Sequence, residues 1–229
     1  MNSMKTHPAP HHARPRGWLA AACLLLLAVA PGARAQAVIE GVVTLAAAAT
    51  AAPPPDQRYQ NPAGGTIPPP EPPAAIVYLA GKFPEPATLP RVQLPQKNFR
   101  FATEILPVRK GTTIEFPNDD DFYHNVFSYS KPKRFDLGRY LKTEKPPGQL
   151  FDQPGVVRLY CEIHEHMRCT VLVLDTPHFT KTDGTGKFRL AQLPAGTYTL
   201  TAWLGEKMVR EQKVELRDGQ TLRVDFPTP

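Results

Sequence analysis

Cysteine is scarce in this sequence, with three among 229 residues. A disulfide-rich scaffold is therefore excluded. No stretch keeps a helical hydrophobic period over three turns, so the chain must fold with strands. No apolar run reaches the roughly 20 residues that a membrane-spanning helix needs. Clusters of Lys or Arg interleaved with aromatics are also missing, which removes the usual argument for nucleic-acid binding. The sequence shows no Ser-His-Asp order, no paired catalytic carboxylates and no open zinc site, so it is not expected to be an enzyme.

Much of the positive charge belongs to a sorting signal. Lys5, Arg14 and Arg16 precede the apolar stretch Trp18 to Ala30, and Ala33-Arg34-Ala35 has the small-x-small pattern of a cleavage site. Residues 1–35 are therefore expected to be a signal peptide cleaved after Ala35. Acylation of Cys23 is the alternative, although Cys23 lies near the start of the apolar core, not at its end. Four of the 27 basic side chains (Lys5, Arg14, Arg16 and Arg34) fall in this leader, so 23 remain against 21 acidic ones and the net charge drops from +6 to +2. An exported chain meets an oxidising compartment, expected here to be the periplasm. A free cysteine there wants a reason.

After the leader, "VIEGVVT" (Val38 to Thr44) reads as a strand. A Pro/Ala-rich segment over 46–73 follows, too poor in apolar surface to order itself and expected to be extended and mobile. A second strand reading is "AAIVYLAG" (Ala74 to Gly81). Beyond it, short β-type runs such as "TTIEF", "HNVFS", "GVVRLY", "RCTVLVL", "GKFRLAQL" and "TYTLTAWL" alternate with Gly, Pro and Asp. That pattern predicts an all-β sandwich or barrel. "TDGTGK" (Thr182 to Lys187) reads as a hairpin turn, because it lacks the other residues of a phosphate loop.

The densest chemistry lies in "YCEIHEHM" (Tyr160 to Met167). Period-2 alternation puts Val157, Leu159 and Cys161 on one face, and Met167, Cys169, Val171 and Val173 on one face of the next strand. Cys161 and Met167 thus point inward at either end of a five-residue loop, with His164 in its middle. A thiolate and an imidazole suit copper or zinc, and a thioether as weak further ligand points to copper in a His₂Cys site with a long axial Met. Such a site needs a second histidine. Only His124, His164, His166 and His178 follow the leader, and His124 opens a strand on the same face as Val126. His166 reads as a solvated loop residue, with metal or partner binding as the alternative. Asp119, Asp120 and Asp121 read as a charged turn beside the strand of His124. A Cys161–Cys169 disulfide is the rival reading of the two thiols, while Cys169 alone reads as a small core hydrophobe.

"FPNDDDFYHNVFS", followed by "CEIHEHM" with Cys161 placed 37 residues after His124, resembles the blue-copper (cupredoxin) proteins. The C-x2-H-x2-M spacing is similar to that of their amicyanin-like members. The ordered set "QK…F", "V..GTT..FPN", "HNVFS", "FDLGRY" and "C.IH..M" resembles more specifically the exported plastocyanin-like proteins of the methylamine utilization type. The resemblance covers about Gln93 to Asp175. It implies a cupredoxin-like Greek-key sandwich binding one copper ion, with His124, Cys161 and His164 as equatorial ligands and Met167 as the axial one. It also implies that Asn125 braces the cysteine loop and tunes the metal from outside the ligand set. Many relatives carry proline after the loop histidine, where this chain has Glu165-His166, so a more polar rim is expected.

The tail "TKTDGTGKFRLAQLPAGTYTLTAWL" resembles the second half of a carboxypeptidase-regulatory-like (transthyretin-like) β-sandwich. The expected organisation is a discontinuous sandwich of residues 36–81 and 178–229, with a copper domain of residues 82–177 inserted into it. The expected function is that of a periplasmic one-electron carrier or redox module with an unidentified redox protein as partner. Copper delivery or storage is the alternative, as is a structural interaction protein carrying the Cys161–Cys169 disulfide.

Overall fold

The computed structural model describes residues 36–45 and 69–227. The expected leader, including Cys23, and residues 46–68 of the proline-rich segment lie outside the described residues. The strands run in the order β1 (Ala37–Val42), β2 (Ile76–Ala80), β3 (Arg91–Gln93), β4 (Gln96–Lys97), β5 (Arg100–Phe101), β6 (Ile105–Arg109), β7 (Thr112–Glu115), β8 (His124–Ser130) and β9 (Lys133–Tyr140). They continue with β10 (Gly148–Phe151), β11 (Gly155–Tyr160), β12 (Arg168–Leu174), β13 (Phe179–Lys181), β14 (Lys187–Leu193), β15 (Gly196–Trp203), β16 (Val209–Leu216) and β17 (Thr221–Arg223). The chain is all-β with sandwich-like sheets, as the turn-punctuated alternation requires.

Four of the five sheets among the described residues stack as layers with three apolar cores between them, and β4 and β5 form a separate two-stranded sheet. A three-stranded sheet in the order β10-β7-β3 faces a five-stranded sheet in the order β6-β12-β11-β8-β9. Phe116, Ile114, Phe151, Val126, Leu159 and Met167 are among the side chains filling the core between them. The third layer is β13-β2-β15-β16 and the fourth β14-β1-β17. Ile39, Val77, Leu79, Leu200, Val214 and Phe226 lie between these two. Between the second and third layers sits a smaller core of Ile76, Leu172, Leu174 and Trp203, with Ile105, Val156 and Phe179 packed against it.

Early and late strands meet across the whole sequence. Strand β1 pairs antiparallel with β14 and parallel with β17, and β2 pairs antiparallel with β13 and β15. "TDGTGK" forms a turn in which Asp183 Oδ1 accepts hydrogen bonds from the N–H groups of Thr185 (2.8 Å) and Lys187 (2.9 Å). It does not close a paired hairpin: β13 joins the third layer and β14 the fourth, so the chain switches sheets here. Gly186 takes φ +83° at this turn, and a Cβ there would lie 2.0 Å from the Val43 carbonyl oxygen. Only glycine fits that approach.

The expected mobility of 46–73 does not extend to its described end. Glu71 Oε2 accepts hydrogen bonds from Thr103 Oγ1 (2.9 Å), the Glu104 N–H (3.0 Å) and Lys181 Nζ (2.8 Å). A single carboxylate on the returning chain thus ties the second layer to the third. Burial pushes this carboxyl up, but Lys181, Glu104 and Thr103 outweigh that and hold it below its ordinary value.

Candidate metal centre

The site lies at one end of the core between the first two layers, where β8 begins and β11 ends. Cys161 follows β11 on the inward face set by Val157 and Leu159, and all three are buried. A turn then brings the chain back. The Met167 N–H donates to the His164 carbonyl at 2.9 Å, and Met167 re-enters the core, 1% exposed. His124, the first residue of β8, is fully buried. The ligating atoms of His124, Cys161 and His164 all lie within 4.8 Å of one another. Sequence reasoning named these three, and the fold brings them together. His166 and His178 are not part of this group.

The two imidazoles present the same atom to the centre. His124 Nδ1 lies 3.2 Å from His164 Nδ1, and His164 Nδ1 lies 3.7 Å from Cys161 Sγ. The other nitrogen of His124, Nε2, lies 2.9 Å from Asp120 Oδ2. A carboxylate accepting from Nε2–H leaves the Nδ1 lone pair of a neutral ring directed at the cluster, which is how ligating histidines are commonly held. One thiolate sulfur and two imidazole nitrogens at this separation are a donor set suited to copper.

Asn125 bonds to the start of the loop that follows Cys161. Its Oδ1 accepts from the Glu162 N–H (3.0 Å) and its Nδ2 donates to Asp136 Oδ1 (2.7 Å). The residue following Cys161 is thereby fastened to β8 and β9. Cys161 and Cys169 are both free and buried, so no disulfide joins them. Strand pairing sets Cys169 opposite Leu159, two residues before Cys161.

The electrostatics favour a preformed thiolate. Burial pushes the Cys161 thiol up, but the neighbouring His124 and His164 imidazoles and hydrogen bonds from the N–H groups of Asn125 and Ile163 outweigh it and bring the thiol down to about 5. Burial pushes His124 down, and its contacts with Cys161 and Asp120 reverse that and raise it. Cys169, without such partners, is raised by burial. In the metal-free protein, ultraviolet thiolate absorption from Cys161 is therefore expected to titrate with a midpoint near 5. The folded value lies below the ordinary 9.0, so this thiol stabilises the metal-free fold fully above pH about 9, and the contribution disappears as pH falls through about 5. Urea midpoints across that range should rise with pH in the wild type by a component that Cys161→Ser lacks. An identical pH profile for the two proteins would refute it.

Three features of the surroundings were not read from the sequence. Asp120 is not merely part of a charged turn, because it holds His124. Phe99 packs edge-on to His164, with ring centroids 4.9 Å apart. His166 is half-buried, with Nε2 lacking a hydrogen-bond partner among the described residues, where a solvated residue was expected. The Asp-x3-His spacing of Asp120 and His124 was the available signal for the first feature. The turn-forming Asn98 before Phe99 was the signal for the second.

The carboxypeptidase regulatory-like domain family matches residues 168–228. A comparison with curated protein sequences finds no match. Solved structures with similar parts include a copper-containing nitrite reductase from Thermus scotoductus SA-01 (23% identity, TM-score 0.36, covering 43% of this chain and 25% of that one). The chain thus spans about a quarter of that enzyme's length. A purple cupredoxin from Nitrosopumilus maritimus is 25% identical, with TM-score 0.32, covering 37% of this chain and 99% of that one. Amicyanin from Paracoccus versutus is 20% identical, with TM-score 0.34, covering 43% of this chain and 97% of that one. No helix among the described residues is long and apolar enough to cross a membrane.

Proposed function

We propose that this chain is an exported, periplasmic type 1 copper protein that acts as a one-electron carrier or redox module. His124, Cys161 and His164 would be its equatorial ligands and Met167 its axial one. The observation that carries this reading is the convergence of one thiol and two imidazoles within 4.8 Å inside a rigid β-core. Bound copper supplies a single-electron couple. The chain supplies a fixed donor set: Asp120 orients His124, Asn125 fastens the loop after Cys161, and the core holds Met167. Three of the four proposed ligands are nearly closed to solvent, His124 at 0%, Cys161 at 4% and Met167 at 1%. That supports a retained metal, whereas a delivery or storage protein wants exposed, exchangeable donors. The motif set of the methylamine utilization type supports the more specific kinship. The regulatory-like sandwich, residues 36–81 with 178–229, would be a scaffold around the copper domain 82–177.

The test is to add Cu(II) to metal-free mature protein and record its visible spectrum. An intense blue colour is expected, and a colourless one-to-one complex would overturn the reading. Exported material should begin at Gln36 by N-terminal sequencing. Retention of residues 1–35 would overturn the proposed processing.

A further inference from the structure

The two-residue connection between β4 and β5 has a backbone that its side chains do not favour. Asn98 and Phe99 both adopt the left-handed region, with φ values of 52° and 59°. Two consecutive positive φ angles define the tight type I′ hairpin turn. Asparagine tolerates this conformation, but a bulky aromatic is a true outlier there. Such strain persists only where its surroundings over-determine it, and it clusters at functional sites. Here the turn points into the proposed metal centre by two routes.

The first route is polar. The Asn98 N–H donates to Asp120 Oδ1 at 2.8 Å, and the Phe99 N–H donates to Asp120 Oδ2 at 3.0 Å. That same Oδ2 lies 2.9 Å from His124 Nε2. The Asp120 N–H is tied back to Asn118 Oδ1 at 3.0 Å, so the carboxylate is held from both ends. Both left-handed residues are needed to aim two successive N–H groups at one carboxylate. The second route is apolar. The Phe99 ring stands edge-on to His164 (centroids 4.9 Å apart) and to His124 (5.9 Å), and the Phe122 ring packs against it at 5.2 Å. Phe99 is 7% exposed. The turn therefore reaches both imidazoles from outside the loop that carries Cys161 and His164.

We propose that the Asn98–Phe99 turn is a clamp that sets the geometry of both histidines before any metal arrives. Asn98 and Phe99 act as positioning residues, His124 being held through Asp120 and His164 through the Phe99 ring. This rests on the copper reading for its consequence, the metal affinity and potential, but the clamp itself belongs to the metal-free protein. The strained conformation is the cost of presenting an aromatic ring and two N–H donors from a two-residue turn.

Three variants separate the routes. Asp120→Ala removes the carboxylate, and with it the acceptor that the turn's two N–H groups and the His124 Nε2–H share. Phe99→Gly suits the positive φ and keeps the N–H donor, so it removes only the ring and should not lower the thermal midpoint through turn strain. Phe99→Leu restores apolar contact without an aromatic edge. In metal-free protein, the His124 Nε2–H proton is expected to be protected from exchange by NMR in the wild type and Phe99→Gly. In Asp120→Ala it should be lost to exchange. His164 ring resonances should broaden in Phe99→Gly and recover in part in Phe99→Leu. In copper-loaded protein, Asp120→Ala should weaken copper affinity roughly 10–100-fold, the range seen when partners of metal ligands are removed.

Retained His124 Nε2–H protection in Asp120→Ala, or sharp His164 resonances in Phe99→Gly, would overturn the clamp. The two readings fail separately. If the NMR changes occur but the wild type takes up no blue copper, the metal reading fails and the clamp stands. If the wild type is blue and the metal-free histidines ignore all three variants, the clamp fails and the metal reading stands.

Discussion

Cys161→Ser is expected to abolish the intense visible band of the copper-loaded protein completely while leaving the fold in place. The band of a His₂Cys copper site arises from the copper–thiolate bond, so no other ligand can substitute for the sulfur. Serine is close to cysteine in size, and the backbone N–H groups of Asn125 and Ile163 that bond Cys161 can reach a hydroxyl. Met167→Leu should behave differently. The thioether is the weak ligand, so the colour should persist and the reduction potential shift, because the axial position tunes the metal without holding it. Leucine also conserves volume at a site that is 1% exposed, a swap that costs under about 1.5 kcal/mol. His166→Ala should leave the spectrum nearly unchanged, since His166 lies outside the converging group. Spectra and voltammetry of the three variants check the series. Colour that survives Cys161→Ser, or is lost in His166→Ala, would sink the ligand assignment.

The donor cluster was legible because its signals are local. Cys161, His164 and Met167 fall within seven residues, and alternation along β11 and β12 says which side chains turn inward. His124 was legible by scarcity, with few histidines left after the leader. Asp120 and Phe99 were not, for a physical reason. Their roles depend on where a hairpin turn at residues 98–99 lands relative to a loop some twenty residues later, and alternation carries no information about such a meeting. Strand patterning failed at one informative place. Period 2 assigns Val171 and Val173 inward on β12, yet Leu172 and Leu174 are buried as well, 5% and 6% exposed. The continuous run Val171 to Leu174 is the mark of a strand covered on both faces. Leu200 to Trp203 on β15 is buried on both faces in the same way.

That second buried face makes Trp203→Ala the most damaging expected change outside the metal centre. Trp203 is 7% exposed and packs with Ile76, Leu172 and Leu174 between the second and third layers. Removing a buried Trp or Phe side chain costs about 3–5 kcal/mol, and each kcal/mol lowers the midpoint of a chain of 150–250 residues by about 2–4 °C. The expected fall in thermal midpoint is therefore roughly 6–20 °C. The direction of failure is also specific. Each of the two outer cores keeps its own residues, so the variant should loosen the contact between the proposed copper domain and the proposed scaffold before either melts. A single wild-type transition should split into two, with the colour of the copper-loaded protein following only one of them. The isolated stretch 82–177 inherits the same face, with Ile105, Val156, Leu172 and Leu174 uncovered together, and an apolar patch of that kind favours self-association. Leu172→Lys with Leu174→Lys should return this fragment to a monomer without disturbing Val171 and Val173, which face the other core. Calorimetry of Trp203→Ala and light scattering of the two fragments are the measurements. A midpoint within about 2 °C of wild type, less than the shift expected from even 1 kcal/mol, would show that the layers are held by the Glu71 network and strand connections alone.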